Sequence, residues 1–557
     1  MAGVSQKKSA RDRGIAYGVV DRMQRAWGES PFYQAQLKGP APDRLGYQPV
    51  DPYTPDKALA ESIVRGRIAI GAMTVECEGE HERLWDLAGR DGALHDLLHR
   101  FVWLRHLSAL GERGRAPARA LAQAWFDDHE KWSPDSWEPY TTGERLINLC
   151  CHGQKLISGG DALWRSRVLT SMARQTRHLA RSGHRAPVSY ERLMTAMSLC
   201  VAALSLPGCE SAAEKGLELL RRELRLQIRP DGGHVSRNPS RQLELVIRLR
   251  MVLSALEFRR MPAPGFLRHI IGRAAAHVQL FRSGDGRLAV FNGGYEDDAR
   301  ALSAALEVLE EDVEPTGFAR HSGFQRLEAA RTVLIADTGA ARGGAVSGGF
   351  QSGGSFHFSS GRARLIGNCG NGAHLSGDWA LALRQAAAHS ALSSEPPAAA
   401  AVFRSCVVTH RRAEDARGQL LEIERAASAE PAAARHIRRF FLSAAGHDLR
   451  GEDVLVGVPG TLMNNWRLRF HLHPGVKASL ARDGRSVILA GPNREGWRFR
   501  SNSADISLEK SVYCGESRLP QSTEQIVICP GNIDRRIDGD DGGDIVVKWA
   551  FRRMEGV

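Results

Sequence analysis

The spacing of apolar residues changes once along this 557-residue chain, near residue 315. Before that point, from about residue 57 to 310, apolar side chains recur three and four positions apart, the period of a helix, with Gly, Pro and Ser as punctuation. Beyond it the segments are short, β-branched or aromatic, and often alternate, as in "RTVLIAD", "WRLRFHLHP" and "DIVVKWAFRRM". About ten helical segments joined by short loops predict an irregular helical array or toroid. A run of short strands with no long helix between them requires an antiparallel sandwich rather than a parallel sheet. The predicted organisation is an α+β multidomain chain. It has an N-terminal extension over 1–50, an α-helical, toroid-like domain over 51–315 and an antiparallel β-sandwich over 316–557.

Within the helical part, "QLELVIRLRMVLSALEF" places Leu243, Val246, Leu249, Leu253 and Leu256 on one face and turns Arg248 and Arg250 elsewhere. "YERLMTAMSLCVAALSL", Tyr190 to Leu206, is apolar on almost every side, so its neighbours are expected to bury it. In the strand-rich part, the low-complexity piece "SSEPPAAA", Ser393 to Ala400, is expected to be a loop.

Charge and cysteine content narrow the setting. The chain carries 75 Lys plus Arg against 63 Asp plus Glu, a net charge of +12, with arginine dominant. Arginine suits bidentate recognition of carboxylate, sulfate or phosphate, which points to an acidic partner and nothing sharper. No nucleic-acid-binding module or dense Lys/Arg run is present. The nine cysteines are scattered without CxxC or zinc-ribbon spacing, so reduced, packed thiols are expected. The apolar piece of the N-terminal stretch is too short and interrupted for a signal peptide or membrane span, and a cytoplasmic location is the expectation.

Chemistry is expected at the break "RPDGGHVSRNPSRQ", Arg229 to Gln242, between two helical runs. Asp231, Gly232 and Gly233 permit a tight turn, His234 and Arg237 project from it, and Asn238-Pro239-Ser240 would cap and start the next helix. On local signals a solvated interhelical turn explains these residues as well as a site does. Elsewhere, Tyr295 in "FNGGYEDD" either enters a cleft or caps an acidic helix start. His471 and His473 alternate on a strand, in reach of a metal or sugar or simply packed.

The turn motif is followed in order by "GDGRLAVFNGG", "GFQRLEAARTVLIADTG", "SFHFSSGRARLIGNCG", "DWALALRQAAAHSAL", "LRFHLHPGVKASL" and "LEKSVYCGESRLPQSTEQIVI". From about residue 120 to 551 the chain resembles the heparinase II/III family of polysaccharide lyases, in particular its alphaproteobacterial branch. The resemblance implies an (α/α) toroid on an antiparallel β-sandwich and β-elimination on a uronic-acid-containing, acidic polysaccharide. That reaction needs a neutralised uronate carboxylate, a base for the proton beside it, and a donor to the leaving oxygen.

Carried over residue by residue, the family's Tyr-His pair falls on Arg241 and Gln242, its Asn-His pair near Tyr190 and Glu191, and a further histidine near Phe350 or Gln351. Of the zinc ligands found in some members, only His389 is kept, and Asn368 stands where an Asp is usual. No metal and no other cofactor is therefore expected. The catalytic candidates are Tyr190, His234, Arg241 and His389, with Arg241 on the carboxylate and Tyr190 or His234 as base; Arg237, Asn238 and Tyr295 are the substrate-binding candidates. Two readings stand: a lyase for an acidic glycan with altered catalytic positions, or a heparinase-like glycan-binding protein without elimination chemistry. The family's usual export makes the periplasm the alternative location.

Overall fold

A computed structural model describes residues 26–554 apart from short stretches, the longest being 340–348, 310–316 and 537–543. A helical region is followed by antiparallel sheets, as the change of period predicts. The boundary near 315 and half of the Ser393 to Ala400 loop lie outside the described residues. Ser393 and Ser394 themselves end the short strand Leu392–Ser394.

The compact units do not divide at the change from helix to strand. One holds the described residues up to Asp51 together with Pro55–Leu226 and Arg248–Pro264; the other holds Pro52–Thr54, Gln227–Ile247 and everything from Gly265. The turn at Arg229 to Gln242 thus belongs with the strands, because its side chains bond to segments that follow it.

In the first unit the helices Pro139–Ile157, Ala162–Ser182 and Tyr190–Ser205 supply much of the core. The Tyr190–Ser205 helix is buried on nearly every side, as its composition predicts. Ser189 caps it, accepting the Arg192 N–H at 3.3 Å. Burial of so apolar a helix leaves its one cation needing a partner, and Arg192 finds Glu223 at 2.5 Å. Arg248 departs from the expectation that it turns away from the apolar face. It is buried and pairs with the equally buried Glu144 at 2.6 Å.

The second unit is a sandwich of two nine-stranded sheets whose paired strands run antiparallel. One runs in the order Lys477–Leu480, Ser486–Ala490, Gly496–Ser501, Asp544–Arg553, Asp448–Val456, Arg435–Ser443, Gly418–Ala426 and Val407–Asp415. The other places Trp466–Leu472 between Gln521–Ile528 and Ala363–Gly367, followed by Phe356–Ser360, Thr332–Asp337 and Phe324–Ala329. Strand alternation drives one face of each inward, clear in Arg435–Ser443, where His436, Arg438, Phe440 and Leu442 are buried. Phe356, Phe470 and Trp549 meet in the core, with Phe470 and Trp549 centroids 5.0 Å apart.

Among the buried charged residues, Arg438 and Asp453 form a pair. Arg438 bonds through Nε to Asp453 Oδ1 at 2.7 Å and donates through Nη1 to the carbonyls of Gly354 and Ser390. Asp453 also receives Trp549 Nε1 at 2.8 Å and lies 2.7 Å from His436 Nε2. Burial alone would raise its carboxyl pKa; Arg438 and His436 reverse this and hold it well below the usual range.

All nine cysteines are free, eight of them buried and Cys529 half-buried. Burial pushes the Cys150 thiol up to about 12.

Candidate functional site

The turn between the two helical runs is built mostly from its own backbone. Arg229 donates its N–H to Gly233 O and Gly232 to Arg229 O, each at 2.9 Å, and Val235 returns to Gln227 O. Gly232 has φ 84°, and a Cβ there would lie 2.3 Å from the Arg273 carbonyl oxygen, so no larger residue fits without a shift. Asp231 fastens the turn to the sandwich, its carboxylate accepting from the N–H groups of His321, at 2.8 Å, and Ser322, at 2.6 Å. Burial works to raise this carboxyl; nearby His277 and the bonds from Ser322 and Gly233 outweigh it and lower its pKa.

His234 is buried beneath the turn. Its Nδ1 accepts the Ser236 N–H at 3.1 Å, which leaves the ring proton on Nε2 to be donated to Gln227 Oε1 at 2.9 Å. Burial first, then Arg241 and Arg229, depress its pKa to about 3. A neutral imidazole with both nitrogens engaged inside the protein is a strut rather than a poised base.

Gln242 locks the other side. Its Nε2 donates to Gly232 O at 2.9 Å and Ala274 O at 3.2 Å, and its Oε1 accepts the His234 N–H at 2.7 Å. Every strong valence of that carboxamide points into the protein.

The expected substrate-binding residues are similarly committed. Arg237, at φ 58°, donates to the carbonyls of Ser322 and Gly323, pairs with Asp337, and lies over the Phe324 ring at 4.7 Å. Asn238 accepts the Arg241 N–H at 3.1 Å, capping the Pro239–Phe258 helix as the sequence predicts, and donates to Asn292 O. Tyr295 is half-buried and its N–H is held by Ser240 Oγ at 2.7 Å. His234, Arg237, Asn238, Arg241 and Tyr295 therefore share one neighbourhood. Tyr190 belongs to the first unit, where it opens its helix and is buried.

His389 is 1% exposed, and neither ring nitrogen has a hydrogen-bond partner among the described residues. Burial lowers its pKa to about 4, and its ring lies edge-on to Phe350 at 6.2 Å. Asn368, where an aspartate ligand would stand, accepts the Ser390 N–H at 3.0 Å and donates to Val290 O at 2.8 Å. One imidazole, a carboxamide already spent on backbone and a phenyl ring do not fit a zinc ion. His471 does not approach a ligand site either: its Nδ1 meets Ser511 Oγ at 2.8 Å and its Nε2 meets Ala387 O at 2.9 Å.

Two groups went unnoticed in the sequence. Glu296 is a buried hub, receiving the Tyr513 hydroxyl at 2.5 Å and lying 3.0 Å from His473 Nε2 and 3.7 Å from Arg364. Burial opposes its ionisation, yet His473, Arg364 and Tyr513 bring its pKa down to about 2. Next to it, Asp297 has an Oδ2 with no partner among the described residues. Burial, and then the carboxylates of Glu244, Asp298 and Glu296, raise it to about 7 against a bond from Ser240. The "GYEDD" run was a faint signal for both, since adjacent carboxyls repel one another's charge.

Residues 311–549 match the heparinase II/III-like, C-terminal family. Among curated proteins the chain is 29% identical to the FtsZ-localized protein C of Caulobacter vibrioides, over 98% of this chain and 96% of that one. Among solved structures it is similar to heparinase III, with a TM-score of 0.70 and 14% identity over 94% of this chain and 89% of that one. It is also similar to a heparan sulfate lyase of Pedobacter heparinus, with a TM-score of 0.59 and 13% identity over 94% and 88%. At such identities the likeness is one of fold.

Proposed function

We propose, from the premise that residues 311–549 belong to the heparinase II/III-like C-terminal family, that this chain uses a polysaccharide-lyase fold for binding rather than for elimination. We propose further that it localises with FtsZ, as the Caulobacter relative matched over nearly its whole length is named for doing. A cytoplasmic location is part of the same proposal.

The observation that carries it is the pairing of His234 with Gln242. Elimination needs a base free to take the proton beside a uronate carboxylate, and a missing base or acid forfeits about 10²- to 10⁴-fold in rate. At this turn the imidazole is neutral, buried and doubly bonded, and the neighbouring position holds a carboxamide tied to two carbonyls. Glycan binding without cleavage is compatible with this reading.

The test has two arms. Purified protein is sedimented with FtsZ polymers, and separately incubated with a panel of uronic-acid polysaccharides while absorbance of the unsaturated product is followed. Co-sedimentation without product is expected. Product that disappears in Tyr190→Phe or His234→Ala would return the chain to the lyases, and a failure to sediment with FtsZ polymers would remove the localisation half.

A further inference from the structure

The helical unit carries a groove of about 630 Å³, within the range of about 300–1,000 Å³ common for ligand pockets. Its floor is apolar. Leu179 and Leu199 lie at the bottom, the Trp27 ring is 42% exposed beside them, and Tyr33 offers only its ring, because its hydroxyl is bound to His178 Nδ1 at 2.6 Å.

The rim is cationic. Lys215, Leu219 and Arg222 recur at helical spacing on Glu210–Gln227 and so share a face over the groove, with Arg181 on the facing segment. Two other carboxylates of that helix are already engaged, Glu210 with Arg259 at 2.7 Å and Glu223 with Arg192 at 2.5 Å. Among the described residues Lys215 and Arg222 have no carboxylate at ion-pair distance, although Glu218 lines the same groove.

We propose that this groove docks a short acidic peptide segment of a partner protein, with an apolar side chain on the Trp27, Leu199 and Leu219 floor and carboxylates against Lys215 and Arg222. Charge complementarity selects the acidic flanks and the aliphatic floor selects the anchor. A nucleic-acid strand fits less well, because Tyr33 is buried and the Trp27 ring stands against three leucines, Leu179, Leu199 and Leu219, that give bases nothing to stack on. This goes beyond binding as such by naming the partner's chemistry, and it stands whether or not the chain follows its relative to FtsZ.

The experiment uses the full chain and a fluorescein-labelled peptide with a Leu-Phe-Leu core flanked by Asp and Glu, read by fluorescence anisotropy. Binding is expected to weaken with salt and to fall by about tenfold or more in Lys215→Glu/Arg222→Glu. Trp27→Ala should weaken it while leaving the salt dependence in place. Both cations are exposed, so an unchanged melting temperature verifies the fold of the variant. Absence of binding, equal binding of a Lys-flanked peptide with the same core, retention in the charge-reversed variant, or displacement by oligothymidylate would each overturn the proposal.

Discussion

Gln242 Oε1 holds the backbone N–H of His234 at 2.7 Å, and the amide group of the same side chain bridges Gly232 O and Ala274 O. A single carboxamide thus ties both ends of the turn to the following helix. Gln242→Leu leaves a buried N–H and two carbonyls unmet, so a loss of about 1–3 kcal/mol is expected in denaturant unfolding. Gly232→Ala should cost a comparable amount, about 1–3 kcal/mol, through its positive φ and its approach to Arg273 O. Neither change should affect co-sedimentation with FtsZ polymers when the fold persists.

Asp297 supplies a pH signature. Its folded pKa, about 7, lies above the ordinary value of 3.8, so the folded state holds the proton more tightly than the unfolded chain. Stability contributed by that proton is complete below the unfolded value and lost as pH rises through about 7. Asp297→Asn should therefore melt higher than the parent at pH 8, and the gain should shrink or vanish near pH 5. A gain of equal size at both values would place the effect outside this titration.

Asp453 runs the other way. Arg438 and His436 depress its pKa, so its ionised form stabilises the fold above the ordinary carboxylate range and that contribution is lost as pH falls. Arg438→Met strands the buried carboxylate, and a loss of about 3–5 kcal/mol is expected at neutral pH. Asp453→Asn should lower stability at neutrality and flatten the acid limb of the melting-temperature profile.

His389 offers a test of whether this site holds a metal. An unpartnered buried imidazole gains nothing from its nitrogens, so His389→Leu should leave the melting temperature unchanged or slightly higher. Zinc carried by the parent at one equivalent after dialysis, and lost in the variant, would contradict this.

The fold was legible where a local pattern is enough. The succession of helices and then strands, the all-apolar run from Tyr190, and the Asn238 cap each depend on neighbours in sequence. Arg248 misled because its partner Glu144 lies 104 positions away, and nothing in a helical face announces such a pair. Glu296 and Tyr513 are separated by 217 positions, so their contact exists only after the chain has folded. The turn resembles a motif of the heparinase II/III family through its glycines. What His234 does there depended on Gln227 and Ser236, whose residue types carry no special signal in a sequence.

The nine unpaired cysteines give the chain a built-in clock for its own opening. With eight thiols enclosed and only Cys529 half-exposed, a thiol-reactive dye should label the native protein slowly and sparingly. Each further label would record a fluctuation that uncovers the interior. Because Cys150 and Cys200 lie in the helical unit and Cys369 and Cys514 in the sandwich, mapping the modified peptides would report which half loosens first.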